Sequence, residues 1–280
     1  IQLKKYKFVA DWFEQIMSEA RALDFENENE KRAWYKSKSL TVEIAGIPHT
    51  FGFGGLHGAE DKPVHMSHKD GAGYHVDVNN YYPSMLIAWN LVTRAATNNN
   101  YTTVYNTRKK LKIQQLDAAK RNDKDTVKKF KKAQLPYKKM LNALSGAMKD
   151  ATNPAYDPRN NNLMCINGQL MLLDLIEHLE AHCELIQSNT DGILIKMPDG
   201  MDEDEWFNTI DDIAWEWEQR TGLTLEFDEY RLNLAKKDEP LAQLRQSMNI
   251  SGMTEQIAEK EKLTLDPDFY NDTKEFYTDK

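Results

Sequence analysis

Residues 74–84 have the sequence YHVDVNNYYPS, which predicts a strand that runs directly into a helix. The run up to Asn79 has the pattern of a strand, and Pro83 followed by Ser84 and an apolar run is typical of a first helical turn. Asp77 is therefore predicted at the end of a strand, immediately before a turn. A carboxylate in that position is held rigidly while its oxygens stay accessible.

A second carboxylate, Asp191, lies in the predicted turn of a hairpin. Residues 185–196 have the sequence LIQSNTDGILIK, in which an Asp-Gly pair separates two apolar runs. Nucleotidyl transfer uses two Mg²⁺ ions about 3.5–4 Å apart, often with only one or two carboxylates as protein ligands. The chain has 44 acidic residues, so ordinary surface positions are the simpler interpretation of two aspartates alone.

Composition excludes several classes of protein. The chain has 280 residues and is 40% hydrophobic and 29% charged, which is ordinary for a globular protein. It has no run of about 18 apolar residues and no signal peptide, so no membrane association is expected. Cys165 and Cys183 are the only cysteines, which predicts a reducing compartment. The histidine spacing matches no zinc pattern, and no P-loop sequence occurs.

The charge is unevenly distributed along the chain. The net charge is −8, yet residues 108–139 contain 13 Lys/Arg and 3 Asp, which is +10 there and −18 elsewhere. Within this block Arg108 and Lys112 are four residues apart, and Lys138 and Asn142 have the same spacing, so each pair shares one helical face. Two interpretations stay open for these faces, a solvated surface or a site for phosphate groups.

The remaining elements follow from apolar periodicity and from helix-end and turn signals. Helices are predicted over residues 1–23, 104–132 with a break near 122–123, 134–148 with Pro136 in the first turn, 168–185 and 202–220. A hairpin is predicted at 40–47, another strand within 222–233, and loops at 24–38 and 153–162. The segment after Lys237 is predicted to be peripheral.

Four short motifs resemble those of family B DNA polymerases and occur in the same order along the chain. The motif sequences are most similar to those of phage or prophage replicative enzymes. The motifs are Asp77-Val-Asn-Asn-Tyr-Tyr-Pro-Ser84, Arg108-Lys-Lys-Leu-Lys112, Lys138-Lys-Met-Leu-Asn142-Ala-Leu-Ser-Gly146 and Asn189-Thr-Asp191-Gly192. The resemblance covers about residues 51–197. It includes a glycine-rich stretch at 51–58, where the family has a template-contacting loop and where an ordinary surface turn is the alternative.

The resemblance implies an α+β fold. A polymerase palm would carry Asp77 and Asp191 on a small antiparallel sheet, with a helical fingers insertion and a short or truncated thumb. The expected division is an N-terminal helix, hairpin and first palm part at 1–100, fingers helices at 101–150, a second palm part at 151–235, and a thumb remnant or peripheral segment at 236–280. No room is seen for a proofreading exonuclease.

The resemblance also implies roles for individual residues. Asp77 and Asp191, with the Val78 carbonyl, would be the catalytic metal ligands for two Mg²⁺ ions, with Mn²⁺ as an alternative. Tyr82 would pack under the sugar of the incoming dNTP and exclude a 2′-hydroxyl, although a core aromatic at a helix start is the alternative. The implied dNTP-binding residues are Asn80, Tyr81, Tyr82, Arg108, Lys112, Lys138 and Asn142.

Partners follow from the same resemblance. Primer-template DNA would contact Gly54, Gly55, Gly146, Lys236 and Lys237, although Lys236 and Lys237 fit a solvated pair equally well. The expected partners are primer-template DNA and dNTPs, with other replication proteins as further candidates and no membrane. A monomer in the cytoplasm is expected, in the host cell if a phage encodes the chain.

Departures from the family pattern leave two rival functions open. Asn189 stands where the family has the first Asp of its hairpin motif, and Ala143 and Ser145 replace a Ser and a Tyr. The family's Lys-x-Tyr primer motif has no counterpart beside Lys236. Asn189 and the missing primer motif favour a catalytically lapsed polymerase fold that binds nucleic acid or a replication partner. A two-metal nuclease is the other rival, for which the basic residues would have no triphosphate to bind.

Overall fold

A computed structural model describes residues 1–60, 64–66, 72–92, 98–229 and 232–234. Within these ranges the helices are α1 Lys7–Ala22, α2 Glu28–Lys36, α3 Tyr81–Ala88, α4 Asn98–Lys120, α5 Lys124–Ala147, α6 Pro158–Leu179 and α7 Glu203–Thr221. The strands are β1 Ser39–Ile44, β2 Ile47–Gly52, β3 His57–Ala59, β4 Val64–Met66, β5 Gly73–Val78, β6 Glu184–Asn189, β7 Gly192–Lys196, β8 Leu225–Glu229 and β9 Leu232–Leu234. No described helix has the length and apolar character that crossing a membrane requires.

The main sheet has seven strands in the order β1-β2-β3-β6-β7-β5-β8, and every neighbouring pair is antiparallel. β4 and β9 form a separate antiparallel pair. The mixture of helices with an antiparallel sheet agrees with the predicted α+β class. The sheet is larger than expected, because the N-terminal hairpin β1–β2 joins it through β3.

Helix α6 lies at the centre of the packing and contacts α1, α3 and α7. Most of its side chains are buried, including Leu172, Leu173 and Leu175, which are fully enclosed. Trp217 of α7 donates its indole N–H to the Met171 carbonyl at 3.0 Å, so its only polar atom is satisfied inside the core. This core fixes α6 and α7 behind the strands that carry the predicted carboxylates.

Helices α4 and α5 form an antiparallel hairpin that carries the basic block. Asp123 caps α5 by accepting a hydrogen bond from the Thr126 amide at 3.0 Å, which agrees with the predicted break near 122–123. The predicted new helix at 134–148 is wrong, because α5 continues through Pro136. A proline removes only one amide donor from a helix, and Pro136 is exposed, so water can bind the carbonyl left over.

Two other predicted boundaries are wrong. The loop predicted at 24–38 contains α2, because Asn27 accepts hydrogen bonds from the amides of Asn29 and Glu30 and so caps a charged helix. The loop predicted at 153–162 ends at Asp157. Helix α6 follows it, beginning at Pro158 rather than at the predicted residue 168 and ending at Leu179 rather than at residue 185. Asp157 is its N-cap and Pro158 its first residue, a favourable helix start.

Candidate active site

The two predicted carboxylates come from adjacent strands of the sheet. β5 pairs with β7 so that Asp77 lies opposite Gly192, and the Val78 amide donates to the Asp191 carbonyl at 2.8 Å. Asp191 itself is partly exposed at the tip of the β6–β7 turn, with the rest of its surface covered by the protein. Residues more than one hundred positions apart in sequence therefore meet at one end of β5.

The hairpin turn has an unusual backbone that places Asp191. Thr190 has φ +56°, in the left-handed region that β-branched residues rarely adopt. Its amide donates to the Leu56 carbonyl at 2.7 Å, which holds the turn against the glycine-rich stretch. Gly192 has no room for a side chain, since an added Cβ would lie 3.0 Å from the Val76 carbonyl oxygen and 3.1 Å from Asp77 Cγ.

Burial and charged neighbours shift the pKa of Asp191. Partial burial raises the pKa of Asp191, and the negative charge of Asp77 raises it further. The charges of His75 and Lys138 act in the opposite direction on the same pKa. His75 Nδ1 lies 3.2 Å from Asp77 Oδ2, with about a third of each side chain exposed.

The oxygen donors at this place suit a hard divalent cation. Two carboxylates that repel each other gain from a shared cation, and Mg²⁺ often takes one or two protein carboxylates together with substrate phosphates. Across the described ranges no group of three or more His, Cys, Asp or Glu is arranged to hold a metal. The set thus fits a metal that arrives with phosphate ligands better than a metal in a cage made only of protein.

The first motif forms the turn from β5 into α3. Asn80 has φ +50°, and its carbonyl accepts from the Ser84 amide at 2.8 Å. Tyr81 is buried and donates its hydroxyl to the Gly168 carbonyl at 2.5 Å, so its side chain fixes α3 to α6. Tyr82 is half-buried, and its ring stacks on the Tyr81 ring with centroids 5.9 Å apart. Burial raises the pKa of Tyr82, and so does the nearby negative charge of Asp191.

Arg108 and Lys112 of α4 line one pocket of about 260 Å³ with the α3 start, including Asn80. Arg108 is partly buried, which lowers its pKa, and its Nε has no hydrogen-bond partner among the described residues. Lys112 Nζ donates to both Glu226 carboxylate oxygens, at 2.6 and 2.8 Å. The pocket therefore offers a buried guanidinium donor, while the Lys112 ammonium contacts a carboxylate.

The residues expected on α5 lie along its exposed side. Lys138 is exposed and close enough for its charge to lower the pKa of Asp191. Asn142 is exposed, and its carbonyl accepts from the Ser145 hydroxyl at 3.0 Å. A Cβ added at Gly146 would have no described atom within 4 Å, so helix packing does not explain this glycine.

The glycine-rich stretch is fixed by Gln169 of α6. Gln169 is buried, and its Nε2 donates to the carbonyls of Gly52 and Gly54 at 2.6 and 3.0 Å. Gly55 lies against the Thr190 side chain, and a Cβ added there would overlap it. This contact explains the absence of a side chain at Gly55 by packing against the hairpin.

Three residues beside the site were missed in the sequence. Glu226 lies opposite Asp77 on β8 and also accepts from the Asn79 amide group at 2.7 Å. Only the strand register brings Glu226 there, and no local pattern predicts it. Gln169 lacks a local signal for the same reason, whereas His75 shares the face of Asp77 through strand alternation and could have been found. Lys236 and Lys237 lie outside the described residues.

Comparison with known proteins gives limited results. No protein-family model matches the chain, and no curated protein matches it in sequence. Among solved structures, the chain is similar to the family B DNA polymerase from the hyperthermophilic archaeon Pyrobaculum calidifontis, with 14% identity and a TM-score of 0.47. The match covers 71% of this chain and 28% of that polymerase, and similarity of this strength does not identify a function.

Proposed function

We propose that the chain contains the palm and fingers of a template-directed DNA polymerase. The reaction is attack of a primer 3′-hydroxyl on the α-phosphate of a dNTP, with release of pyrophosphate. The meeting of Asp77 and Asp191 at one end of β5 is the observation that carries the proposal. The order of the four sequence motifs, two of which contain these aspartates, supports it further.

Asp77 and Asp191 would hold the catalytic cations, with the Val78 carbonyl as a further oxygen donor. Bound Mg²⁺ would stabilise the charge on the attacking and leaving oxygens. The raised pKa of Asp191 fits this role, because burial and the Asp77 charge leave a carboxylate in need of a positive partner. The exposed tip of the turn leaves room for substrate phosphates.

The basic residues would bind the triphosphate. Arg108 has a buried Nε without a partner, so a phosphate oxygen in the pocket would satisfy a donor that the described protein leaves unpaired. Lys138 of α5 lies near Asp191 rather than in this pocket, and it would contact a phosphate beside the carboxylates. Such positioning and charge stabilisation supply most of the catalysis in phosphoryl transfer.

Tyr81 and Tyr82 would have different roles in dNTP binding. The Tyr81 side chain is buried and holds α3 in place, so only its backbone amide is a candidate for contact with phosphate. Tyr82 is half-buried beside Asp191, where its ring could support the sugar of the dNTP. Tyr82 would thus be the residue that excludes a 2′-hydroxyl.

A catalytically lapsed polymerase fold is the second candidate, and two contacts favour it. The Asn189 side-chain oxygen lies 3.1 Å from His57 Nδ1, so the residue that replaces an expected acid has a protein partner. Lys112 forms an ion pair with Glu226. Under this hypothesis the protein retains the polymerase fold and binds nucleic acid but catalyses no reaction.

Mg²⁺-dependent primer extension tests the proposal. The wild-type chain should extend a labelled primer, and Asp191→Asn should abolish extension because it removes a metal ligand. Asp211→Asn is the matched control, since the same isosteric change falls on an exposed position of α7. Absence of extension by the wild type at high enzyme concentration, with DNA binding intact, would establish the lapsed alternative.

Two further outcomes of the same assay are decisive. Full extension by Asp191→Asn would refute the assignment of the carboxylate pair. Shortening of the primer in the absence of dNTPs, lost in Asp191→Asn, would identify a two-metal nuclease instead.

A further inference from the structure

A second cavity, of about 560 Å³, lies between α1, α2, the glycine-rich stretch and the start of α6. Its lining contains one acidic side chain, Glu28, and six basic ones. The basic residues are Arg21, Lys31, Arg32, Lys36, Lys149 and Arg159. A protein of net charge −8 therefore concentrates positive charge around one cavity.

These basic side chains form no ion pairs within the described part of the protein, although Arg32 is close enough to Asp150 for its charge to lower the Asp150 pKa. None of the six has a carboxylate within 4.0 Å among the described residues. Glu28, the one acid in the lining, accepts a hydrogen bond from the Tyr156 hydroxyl at 2.8 Å. An excess of cations over acids around a concave site attracts anions and raises their local concentration.

Aromatic rings form another part of the lining. Tyr35 and Phe53 have ring centroids 4.5 Å apart with a tilt of 52°, and both are half-buried. Burial raises the pKa of the Tyr35 hydroxyl. Rings beside cations are the combination that binds unpaired nucleotides, because bases stack on the rings while phosphates contact the cations.

Asn161 gives an independent indication of a ligand. It lines the cavity, is 2% exposed, and its Oδ1 has no hydrogen-bond partner among the described residues. A buried acceptor without a donor is costly unless another molecule supplies one. The amino groups of nucleobases are donors of the required kind.

We propose that this cavity binds an unpaired nucleotide of a nucleic acid strand. Phosphates would contact Arg32, Lys36 and Lys149, and a base would lie against Tyr35. The inference goes beyond the proposed polymerase function and does not require catalysis. The cavity is also close to the carboxylate site, because Phe53 lines it and Leu56 binds Thr190 of the hairpin. Three residues span at most about 11 Å, so one strand could reach both places.

Fluorescence anisotropy with a labelled single-stranded oligonucleotide tests the inference without metal or dNTP. The double variant Arg32→Gln/Lys36→Gln changes two exposed side chains of α2. Each phosphate contact on a single strand contributes about 0.7 to the salt slope, so the variant's slope should become less steep by about 1.4. Its Kd at low salt should rise about tenfold or more.

The matched control is Lys4→Gln/Lys7→Gln, which removes the same charge from exposed positions. Lys7 lies fourteen residues before Arg21, about 21 Å away along α1. The control should bind within about twofold of the wild type. Equal weakening of both variants, or of neither, overturns the inference. Circular dichroism and thermal unfolding establish that each variant is folded.

A second comparison tests the base contact and the source of the nucleotide. Tyr35→Leu keeps an apolar side chain but removes the ring, and stacking on one ring contributes about 5- to 150-fold in affinity. The variant should therefore weaken binding of the normal strand and leave an abasic strand of equal length unaffected; equal effects on both strands overturn the inference. Displacement of the labelled strand by dAMP at lower concentration than by unlabelled strand shows a free-nucleotide site and also overturns it.

Discussion

Substitution of Gly192 by alanine is the sharpest test of the carboxylate arrangement. The new Cβ would lie 3.0 Å from the Val76 carbonyl oxygen and 3.1 Å from Asp77 Cγ, with Asp77 Oδ1 closer still. The backbone of a central strand yields little, so the Asp77 carboxylate must turn away. We expect Gly192→Ala to displace a metal ligand without removing any functional group.

The size of the effect follows from the required movement. The Asp77 oxygen must shift by more than about 1 Å to reach an ordinary contact distance, and a misplacement of about 1 Å already can reduce a catalytic rate about 100-fold. That reduction corresponds to about 2.7 kcal/mol of transition-state stabilisation. Overpacking of a strand should also lower the free energy of unfolding by about 1–3 kcal/mol.

Single-turnover primer extension measures the rate, and urea unfolding measures the stability. Gly58→Ala is the matched control, because an added Cβ there overlaps the buried His49 ring rather than a carboxylate. Both variants should lose stability, but only Gly192→Ala should lose rate in the folded protein. A folded Gly192→Ala protein that extends primers within threefold of the wild-type rate would contradict the role of Asp77.

Three further predictions concern single contacts. Gln169→Leu leaves buried backbone groups without partners and should lower the free energy of unfolding by about 2–3 kcal/mol, measured in urea. The raised pKa of Asp191 means that its proton stabilises the folded state below the ordinary carboxyl pKa of about 3.9, and that this stability is lost as the pH rises through the raised value. With a chelator present to remove metal ions, the urea midpoint of unfolding should therefore be higher for Asp191→Asn than for the wild type at neutral pH. The difference between the two midpoints should vanish below about pH 4. Glu226→Gln should free Lys112 to bind phosphate and lower the KM for dNTP severalfold, whereas Lys112→Gln should raise this KM. A change of both KM values in the same direction would contradict phosphate binding by Lys112.

Local signals predicted the elements that carry Asp77 and Asp191. A strand followed directly by a helix start, and an Asp-Gly pair between apolar runs, each depend on neighbours within a few residues. The break near 122–123 was predictable for the same reason, since Asp123 caps the next helix. The meeting of the two carboxylates could be expected only from the resemblance, because it depends on strand order.

Two causes explain the residues and helices that the sequence does not predict: contacts between distant segments, and local patterns that the packing overrides. Glu226 and Gln169 act through partners more than one hundred residues away, so nothing in their own segments indicates a role. The polar sequence of helix α2 favours a loop because the helix buries no residue, whereas its Asn27 cap indicates a helix. Pro136 predicts a helix start because proline favours that position, but here the packing of α4 against α5 outweighs the loss of one hydrogen bond.

The distribution of charge explains how a protein of net charge −8 could act on nucleic acid. The carboxylates at the site lie on the sheet and its turn, whereas the cations lie on the α4–α5 hairpin, and Lys112 and Glu226 join the two groups at 2.6 Å. Because interactions between exposed charges fade over about 8–10 Å at ordinary salt, phosphates respond to this local arrangement rather than to the net charge. A negative total is therefore compatible with anion binding wherever basic side chains cluster, as they do on the α4–α5 hairpin and around the cavity that α2 lines.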